Sequence, residues 1–213
     1  MKREIAVIRK DYQMQSLSEG EVFADAIEQF NCWWNNALDS EIEEVNAMTL
    51  ATASKDGLPH ARIVLLKDYD ERGFVFFTNY DSQKGKELEI NPHAALILFW
   101  KELERQIRIE GNVQKISIAE SDIYFNSRPA GSKIGAWASP QSAVIENRNL
   151  LDERADRFAK QFGNEIPRPP YWGGYRVIPV TIEFWQGRSN RLHDRIRYTK
   201  GAGVTWKIDR LAP

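Results

Sequence analysis

The chain carries a single cysteine, Cys32, which excludes an intramolecular disulfide and any multi-cysteine metal site. Phe30, Trp33 and Trp34 surround it at helical spacing, so the thiol reads as a small buried hydrophobe. Histidine is almost as scarce. His60, His93 and His193 are too scattered to suggest a metal site, none is expected, and His93 beside Pro92 reads as turn chemistry. The longest unbroken apolar run, Ala94-Ala95-Leu96-Ile97-Leu98-Phe99-Trp100, falls far short of the roughly 20 residues a membrane helix needs. The N-terminal stretch from Met1-Lys2-Arg3-Glu4 onward lacks the apolar core of a secretory signal, so a cytoplasmic location away from membranes is expected. Excess charge is missing too: the net charge is −1 and the basic residues form short, separated clusters, which argues against a nucleic-acid partner. No Gly-x-Gly-x-x-Gly follows a strand, and neither a Walker-type Gly-Lys-Ser/Thr nor a nucleophile elbow is present. Classical dinucleotide and nucleoside-triphosphate sites are therefore not expected.

What is present is a composition of 42% hydrophobic and 28% charged residues over 213 positions, enough for a substantial core. Ser18-Glu19-Gly20-Glu21 has the spacing of a capping box and predicts a helix from Ser18, with Val22, Phe23, Ala26, Ile27, Phe30, Trp33, Trp34 and Leu38 on its core face. Strand patterns come next over 47–53, 60–67 and 74–78, separated by Lys55-Asp56-Gly57 and Asp70-Glu71-Arg72-Gly73. Such short connections make the sheet antiparallel there. Helices are predicted over 84–90, 119–126 and 144–162, the last closed by Gly163, and further strands over 94–100, 105–116 and from Tyr175 onward. The segment from Ser127 to Trp137, rich in turn formers, reads as a loop. Many antiparallel strands without a βαβ rhythm point to one α+β domain of β-barrel type, over residues 1–213, with residues 1–17 a mobile N-terminal segment.

Four segments are rich in anion donors. In the run from Glu183 to Arg195, an extended chain would put Arg191, His193 and Arg195 on one face, where a phosphate or carboxylate relieves their repulsion. The same run also fits a solvated basic edge strand. Arg62 and Lys67 stand five apart, on opposite faces of a regular strand. They either serve two different anions, come together through a bulge, or flank a buried strand and reach water. Ser82-Gln83-Lys84 opens a helix, which suits an anion or a plain N-cap with a solvated lysine. Ser127-Arg128 with Ser132 is the fourth. Phosphate donors beside aromatic residues, with no evident protein nucleophile, suggest that a cofactor carries the chemistry.

These segments belong to a longer set of motifs: Arg62-Ile63-Val64-Leu65-Leu66-Lys67, Leu103-Glu104-Arg105-Gln106, Ser127-Arg128-Pro129, Ile134-Gly135-Ala136-Trp137, Phe184-Trp185-Gln186-Gly187, Arg191-Leu192-His193-Asp194-Arg195 and the terminal Trp206 to Pro213. Taken in order along nearly the whole chain, they resemble the pyridoxine 5′-phosphate oxidase family, whose FMN enzymes make pyridoxal 5′-phosphate. The resemblance implies an FMN-binding split β-barrel, mainly antiparallel and Greek-key-like with peripheral helices, working as a homodimer, with residues 170–213 completing the active site. It implies FMN contacts from the Arg62–Lys67 run, Phe77, Thr78, Gln83, Lys84, Gln106, Gln141, Ser142, Trp185 and Arg195. Pyridoxine 5′-phosphate or pyridoxamine 5′-phosphate would meet Arg9, Tyr12, Lys67, Tyr124, Arg128, Ser132, Arg191, Leu192 and His193, with Arg191 and His193 as the catalytic pair and O2 as the final acceptor. Arg9 and Tyr12 match a mobile element that the family folds over its occupied site. Gln83 stands where the family usually has arginine, and the missing guanidinium would cost about 1 to 3 kcal/mol of charge-assisted bonding to the FMN phosphate. FMN is accordingly expected to be held more weakly. Another split-barrel flavin reductase, or a carrier that binds pyridoxal phosphate without turnover, are the alternative readings.

Overall fold

Alternation of large apolar residues builds the sheet. In the computed structural model, which describes Val7, residues 10–203 and residues 205–213, nine strands form it: β1 (Ala47–Ala53), β2 (Pro59–Leu65), β3 (Asp68–Asp70), β4 (Gly73–Asn79), β5 (His93–Trp100), β6 (Arg105–Lys115), β7 (Trp172–Gln186), β8 (Asp194–Lys200) and β9 (Trp206–Arg210). Their order is β2-β1-β5-β6-β7-β4-β3, with β8 on β7 and β9 on β8. The β3–β4, β4–β7, β7–β8 and β8–β9 pairs are antiparallel. Every second residue of β1 is buried, including Met48 and Leu50, while β4 is buried along nearly its whole length. Arg9 lies outside the described residues.

The helices are α1 (Ala26–Asp39), α2 (Gln83–Ile90), α3 (Ile118–Ser127), α4 (Ala130–Ala138) and α5 (Asn149–Phe162). Two differ from expectation at their starts. The helix predicted from Ser18 begins instead at Ala26, because Asp25 supplies the cap, accepting from the N–H groups of Ile27 and Glu28. Ser18 and Glu21 form only a hydrogen-bonded turn, and Phe23 and Leu38 are exposed. The helix predicted from Val144 begins at Asn149, and α4 occupies most of the stretch read as a loop. There Pro129 ends one helix and opens the next, and Ile134 and Trp137 pack with Phe158 and Phe162 of α5.

The chain forms two compact units. One comprises Met1–Thr49, Ala95–Glu110 and Pro179–Pro213; the other comprises Leu50–Ala94 and Gly111–Ile178. In the first, Trp33, Phe184 and Tyr198 form an edge-to-face aromatic core. In the second, Phe76, Tyr175 and Tyr80 pack beside a stack of Phe77, Tyr124 and Trp172. Among the described residues no helix is long and apolar enough to cross a membrane.

Candidate active site

The second unit holds a cavity of about 490 Å³ lined by Ile63, Val64, Leu65, Lys67, Phe77, Thr78, Lys84, Tyr124, Arg128, Pro129, Ser132, Gln141 and Trp172. Its donors come from five places: the end of β2 and the residues after it, β4, the start of α2, the α3–α4 corner and the loop before α5. The Phe77 and Tyr124 rings stack 4.0 Å apart, Trp172 lies 5.4 Å from Phe77, and the Arg128 guanidinium sits 4.6 Å over Trp172. Lys84 is buried, and among the described residues its Nζ hydrogen-bonds to neutral partners, Thr78 Oγ1 and Gln141 Oε1, each at 3.3 Å. Burial, then the nearby positive charge of Arg62, pulls the Lys84 pKa down, against an opposing pull from Glu87. Burial also pulls the Arg128 guanidinium down, and its Nη1 has no hydrogen-bond partner among the described residues. Lys67, Lys84 and Arg128 thus face one cavity with no carboxylate at ion-pair distance among the described residues, which is the electrostatic signature of an anion site.

Beside this cavity, a buried carboxylate gathers a second set of groups. Glu87 Oε2 accepts from Thr52 Oγ1 and lies 3.4 Å from Arg62 Nη2, while Glu87 Oε1 accepts from Gln83 Nε2 at 3.0 Å and lies 2.7 Å from His60 Nδ1. Arg62 also donates to Leu50 O at 3.3 Å and His60 O at 3.2 Å. Neither Arg62 nor Gln83 is in the cavity wall; both side chains are turned to Glu87. Leu66 is in the core, and Ser142 is exposed at a positive φ of 71°.

The first unit holds its own cavity, of about 650 Å³, lined by Lys10, Asp11, Tyr12, Arg188, Asn190, Arg191 and His193. The single strand read through this region does not form. β7 ends at Gln186, and Asn190 and Arg191 take left-handed conformations with φ of 56° and 63°, so the chain makes a tight turn before β8. Arg191 and His193 therefore sit on a loop, while Arg195 lies on β8 opposite Trp185, its Nε on Glu183 Oε1 at 2.8 Å and its Nη1 on Ala212 O at 2.8 Å. The one-face arrangement is replaced by a pocket for two of the three. Two successive non-glycine residues in this region store strain of about 1 to 3 kcal/mol each, the kind found where function over-determines backbone. Asp194 fixes the loop's exit by accepting from Leu17 N, Arg188 Nη1 and Arg210 Nη1. His193 Nδ1 accepts from Arg188 N at 3.0 Å, which assigns the ring proton to Nε2. Burial and then Arg191 lower the His193 pKa, with Asp194 opposing, so the ring is neutral at physiological pH. Its ring centroid lies 4.6 Å from that of Trp185, and Tyr12 contacts both rings. Leu192 is exposed, and Gln106 on β6, Trp185 and Arg195 line neither cavity.

A family model described as pyridoxamine 5'-phosphate oxidase matches residues 35–188, and one described as pyridoxine 5'-phosphate oxidase C-terminal dimerisation region matches residues 172–213. The chain belongs to the pyridoxamine 5'-phosphate oxidase family. Curated relatives named pyridoxine/pyridoxamine 5'-phosphate oxidase agree with it throughout: that of Nostoc punctiforme is 58% identical over 100% of both chains, and that of Paraburkholderia phymatum is 57% identical over 98% of this chain and 99% of its own. Among solved structures, PhzG from Burkholderia lata, in complex with tetrahydrophenazine-1-carboxylic acid, superposes with a TM-score of 0.88 at 32% identity, covering 94% of this chain and 99% of its own. A pyridoxamine 5'-phosphate oxidase-related, FMN binding protein from Nostoc punctiforme shares the fold, with a TM-score of 0.69 at 16% identity over 93% of this chain and 100% of its own. The α+β split-barrel class read from the sequence is that of this oxidase family.

Of the residues that the family resemblance singles out, the larger group gathers in the Lys84 cavity: Ile63, Val64, Leu65, Lys67, Phe77, Thr78, Lys84, Gln141, Tyr124, Arg128 and Ser132. Tyr12, Arg191 and His193 gather in the other. Sequence reasoning missed Pro129 and Trp172 in the first cavity and Lys10, Asp11, Arg188 and Asn190 in the second. A signal existed for Trp172, which precedes Gly173 and Gly174. A Cβ on Gly173 would lie 2.1 Å from the Tyr80 hydroxyl, and one on Gly174 would lie 2.5 Å from Ile116, so adjacent glycines mark a close approach.

Proposed function

We infer that this chain is an FMN-dependent pyridoxine/pyridoxamine 5′-phosphate oxidase, converting either substrate to pyridoxal 5′-phosphate, the amine nitrogen leaving as ammonia when water hydrolyses the imine formed by oxidation. The observation that carries the reading is the cavity in which Lys67, Lys84 and Arg128 converge, with no acidic partner at ion-pair distance among the described residues, beside a stacked aromatic wall. Its donor set fits a flavin phosphate and a substrate phosphate: buried Lys84 with Thr78 and Gln141 for the first, and Lys67, Tyr124, Arg128 and Ser132 for the second. The chemistry that FMN supplies when bound is acceptance of two electrons from the substrate's 4′ carbon, with O2 then reduced to H2O2. The chain's own residues bind and orient. In the first unit's own cavity, Arg191 supplies a cation and the Nε2–H of His193 a hydrogen-bond donor, groups suited to orienting an anionic, hydroxylated ring. Arg62 is steadied by Glu87 and Thr52, and Gln83 leaves the FMN phosphate one guanidinium short. The chain works as a homodimer, a reading supported by the match of residues 172–213 to a dimerisation region.

PhzG was solved with a tricyclic carboxylic acid that lacks a phosphate, whereas the Lys67, Arg128 and Ser132 set of this chain suits a phosphate monoester. The deciding experiment is an anaerobic titration of the FMN-loaded protein with pyridoxine 5′-phosphate, following the oxidised-flavin absorbance band. Bleaching that recovers on admitting air is the expected outcome. An unchanged spectrum with flavin bound would overturn the reading in favour of another split-barrel flavoprotein or a carrier.

A further inference from the structure

Glu104 is a non-glycine residue at a positive φ of 55°, and it is only 2% exposed. Its carboxylate is not left alone. Oε2 accepts the backbone N–H groups of Gln13 at 2.9 Å and Met14 at 3.2 Å, and Oε1 lies 3.0 Å from Lys10 Nζ. Its carbonyl oxygen accepts from Gly187 N at 2.7 Å and from Gln186 Nε2 at 3.3 Å. One residue therefore ties residues 10–14 by its side chain and the end of β7 by its backbone. The next residue repeats the pattern: Arg105 donates to Gln15 Oε1 on one side and to Gln186 Oε1, at 2.9 Å, on the other.

Between these two anchorages lies Tyr12. Its ring packs 5.8 Å from Trp185 and 6.0 Å from His193, its carbonyl accepts from Ser189 Oγ at 3.2 Å, and a Cβ on Gly187 would fall 2.7 Å from its Cγ. Lys10, Asp11 and Tyr12 make one wall of the cavity that holds Arg191 and His193. Few apolar contacts hold a segment of this kind, so its order depends on where its backbone N–H groups find acceptors.

We propose that Glu104 is a positioning residue for the oxidase reaction: its carboxylate latches residues 10–14 in place, so that Tyr12 and its neighbours wall the Arg191–His193 cavity and hold substrate there. The role in turnover rests on the oxidase reading above; the latch itself does not. Burial opposes ionisation of Glu104, but Lys10 and the two backbone N–H groups outweigh it and hold the carboxyl below its ordinary pKa.

The test is Glu104→Gln in the full chain loaded with FMN, an exchange that keeps volume but points an amide at two N–H donors. Loss of a charged acceptor should speed hydrogen exchange at the Gln13 and Met14 amides by about tenfold or more, with β4 amides unchanged. KM for pyridoxine 5′-phosphate should rise by about tenfold, with kcat changed less and the FMN dissociation constant unchanged. Should that variant not fold, Lys10→Met removes only the half-exposed ammonium and should speed the same two amides by about two- to fivefold. Unchanged exchange at Gln13 and Met14 overturns the latch, as does faster exchange spread equally through β4. FMN affinity falling in step with KM would make Glu104 a general structural residue and overturn it too. If the wild-type protein binds FMN yet oxidises no substrate, the oxidase reading fails while the exchange result still decides the latch.

Discussion

At the residue scale, the surroundings of Lys84 suit a cation poorly. Its ammonium is buried, hydrogen-bonded only to neutral oxygens and near Arg62, which is why its pKa falls. A phosphate relieves both penalties at once. Replacing Lys84 with Met should therefore raise the melting temperature of FMN-free protein, because Thr78 and Gln141 still bond each other at 3.0 Å. The same change should weaken FMN binding by about tenfold or more, the worth of one charge-assisted contact. Gln83→Arg is its counterpart and should tighten FMN by a similar factor by restoring a cation at the start of α2. Fluorescence titration of FMN measures both. A dissociation constant indifferent to either change would remove Lys84 or position 83 from the phosphate site.

At the element scale, α2 delivers Lys84 to the cavity and Glu87 to Arg62, so its seating matters to both. The helix lies so close to the preceding turn that a Cβ on Gly85 would stand 2.0 Å from the Tyr80 carbonyl oxygen. Backbone cannot yield there as a side-chain tip can. Gly85→Ala should destabilise the fold by about 1 to 3 kcal/mol, or roughly 3 to 10 °C in melting temperature, and weaken FMN binding by displacing Lys84. A melting curve matching the wild type would show that the helix seats without that contact. Other elements show what sequence patterns conceal. α4 was hidden by Pro129, Gly131 and Gly135, which read as loop formers, yet packing of Ile134 and Trp137 against α5 outweighs their low propensity. Read as one extended run, the stretch from Glu183 to Arg195 alternates its basic residues on one face, but the left-handed turn at Asn190 and Arg191 ends the alternation.

At the scale of the whole molecule, the near-zero net charge conceals carboxylates committed to cations. Arg210 holds Glu19 down to a pKa of about 2. Asp70, with Arg72 and Arg176 outweighing burial, Glu87, with Thr52 and Gln83 outweighing it, Glu104 and Asp194 all titrate below their ordinary values. A depressed folded-state pKa contributes stability that is present above the unfolded value and is lost as pH falls through the folded one. His193, lowered from 6.5, acts in the same direction, so the decline should begin gently below that value. The carboxylates then take over between about 4.5 and about 2, from the ordinary glutamate value to that of Glu19. Urea midpoints should thus be level from pH 8 to 7 and fall steeply below about pH 4.5. A midpoint that holds steady to pH 3 would mean these pairs add no net stability.

The sequence by itself determined these strands, since apolar runs bounded by turn formers are a local property, and β1, β4, β5 and β6 keep the expected bounds almost residue for residue. Ordered motifs carried the family and most of the set that lines the Lys84 cavity, because donor types near one another in sequence stay near one another at a helix start or strand end. Only the tertiary structure decided what each donor faces. Arg62 and Lys67 share one motif, yet one turns to a buried carboxylate from α2 and the other to an open cavity. Tyr12 and Glu104 come from different segments of the first unit, and no local pattern couples them. Charge pairing at such separations depends on which backbones the fold brings within 3 or 4 Å, and that is a property of packing rather than of any window of sequence.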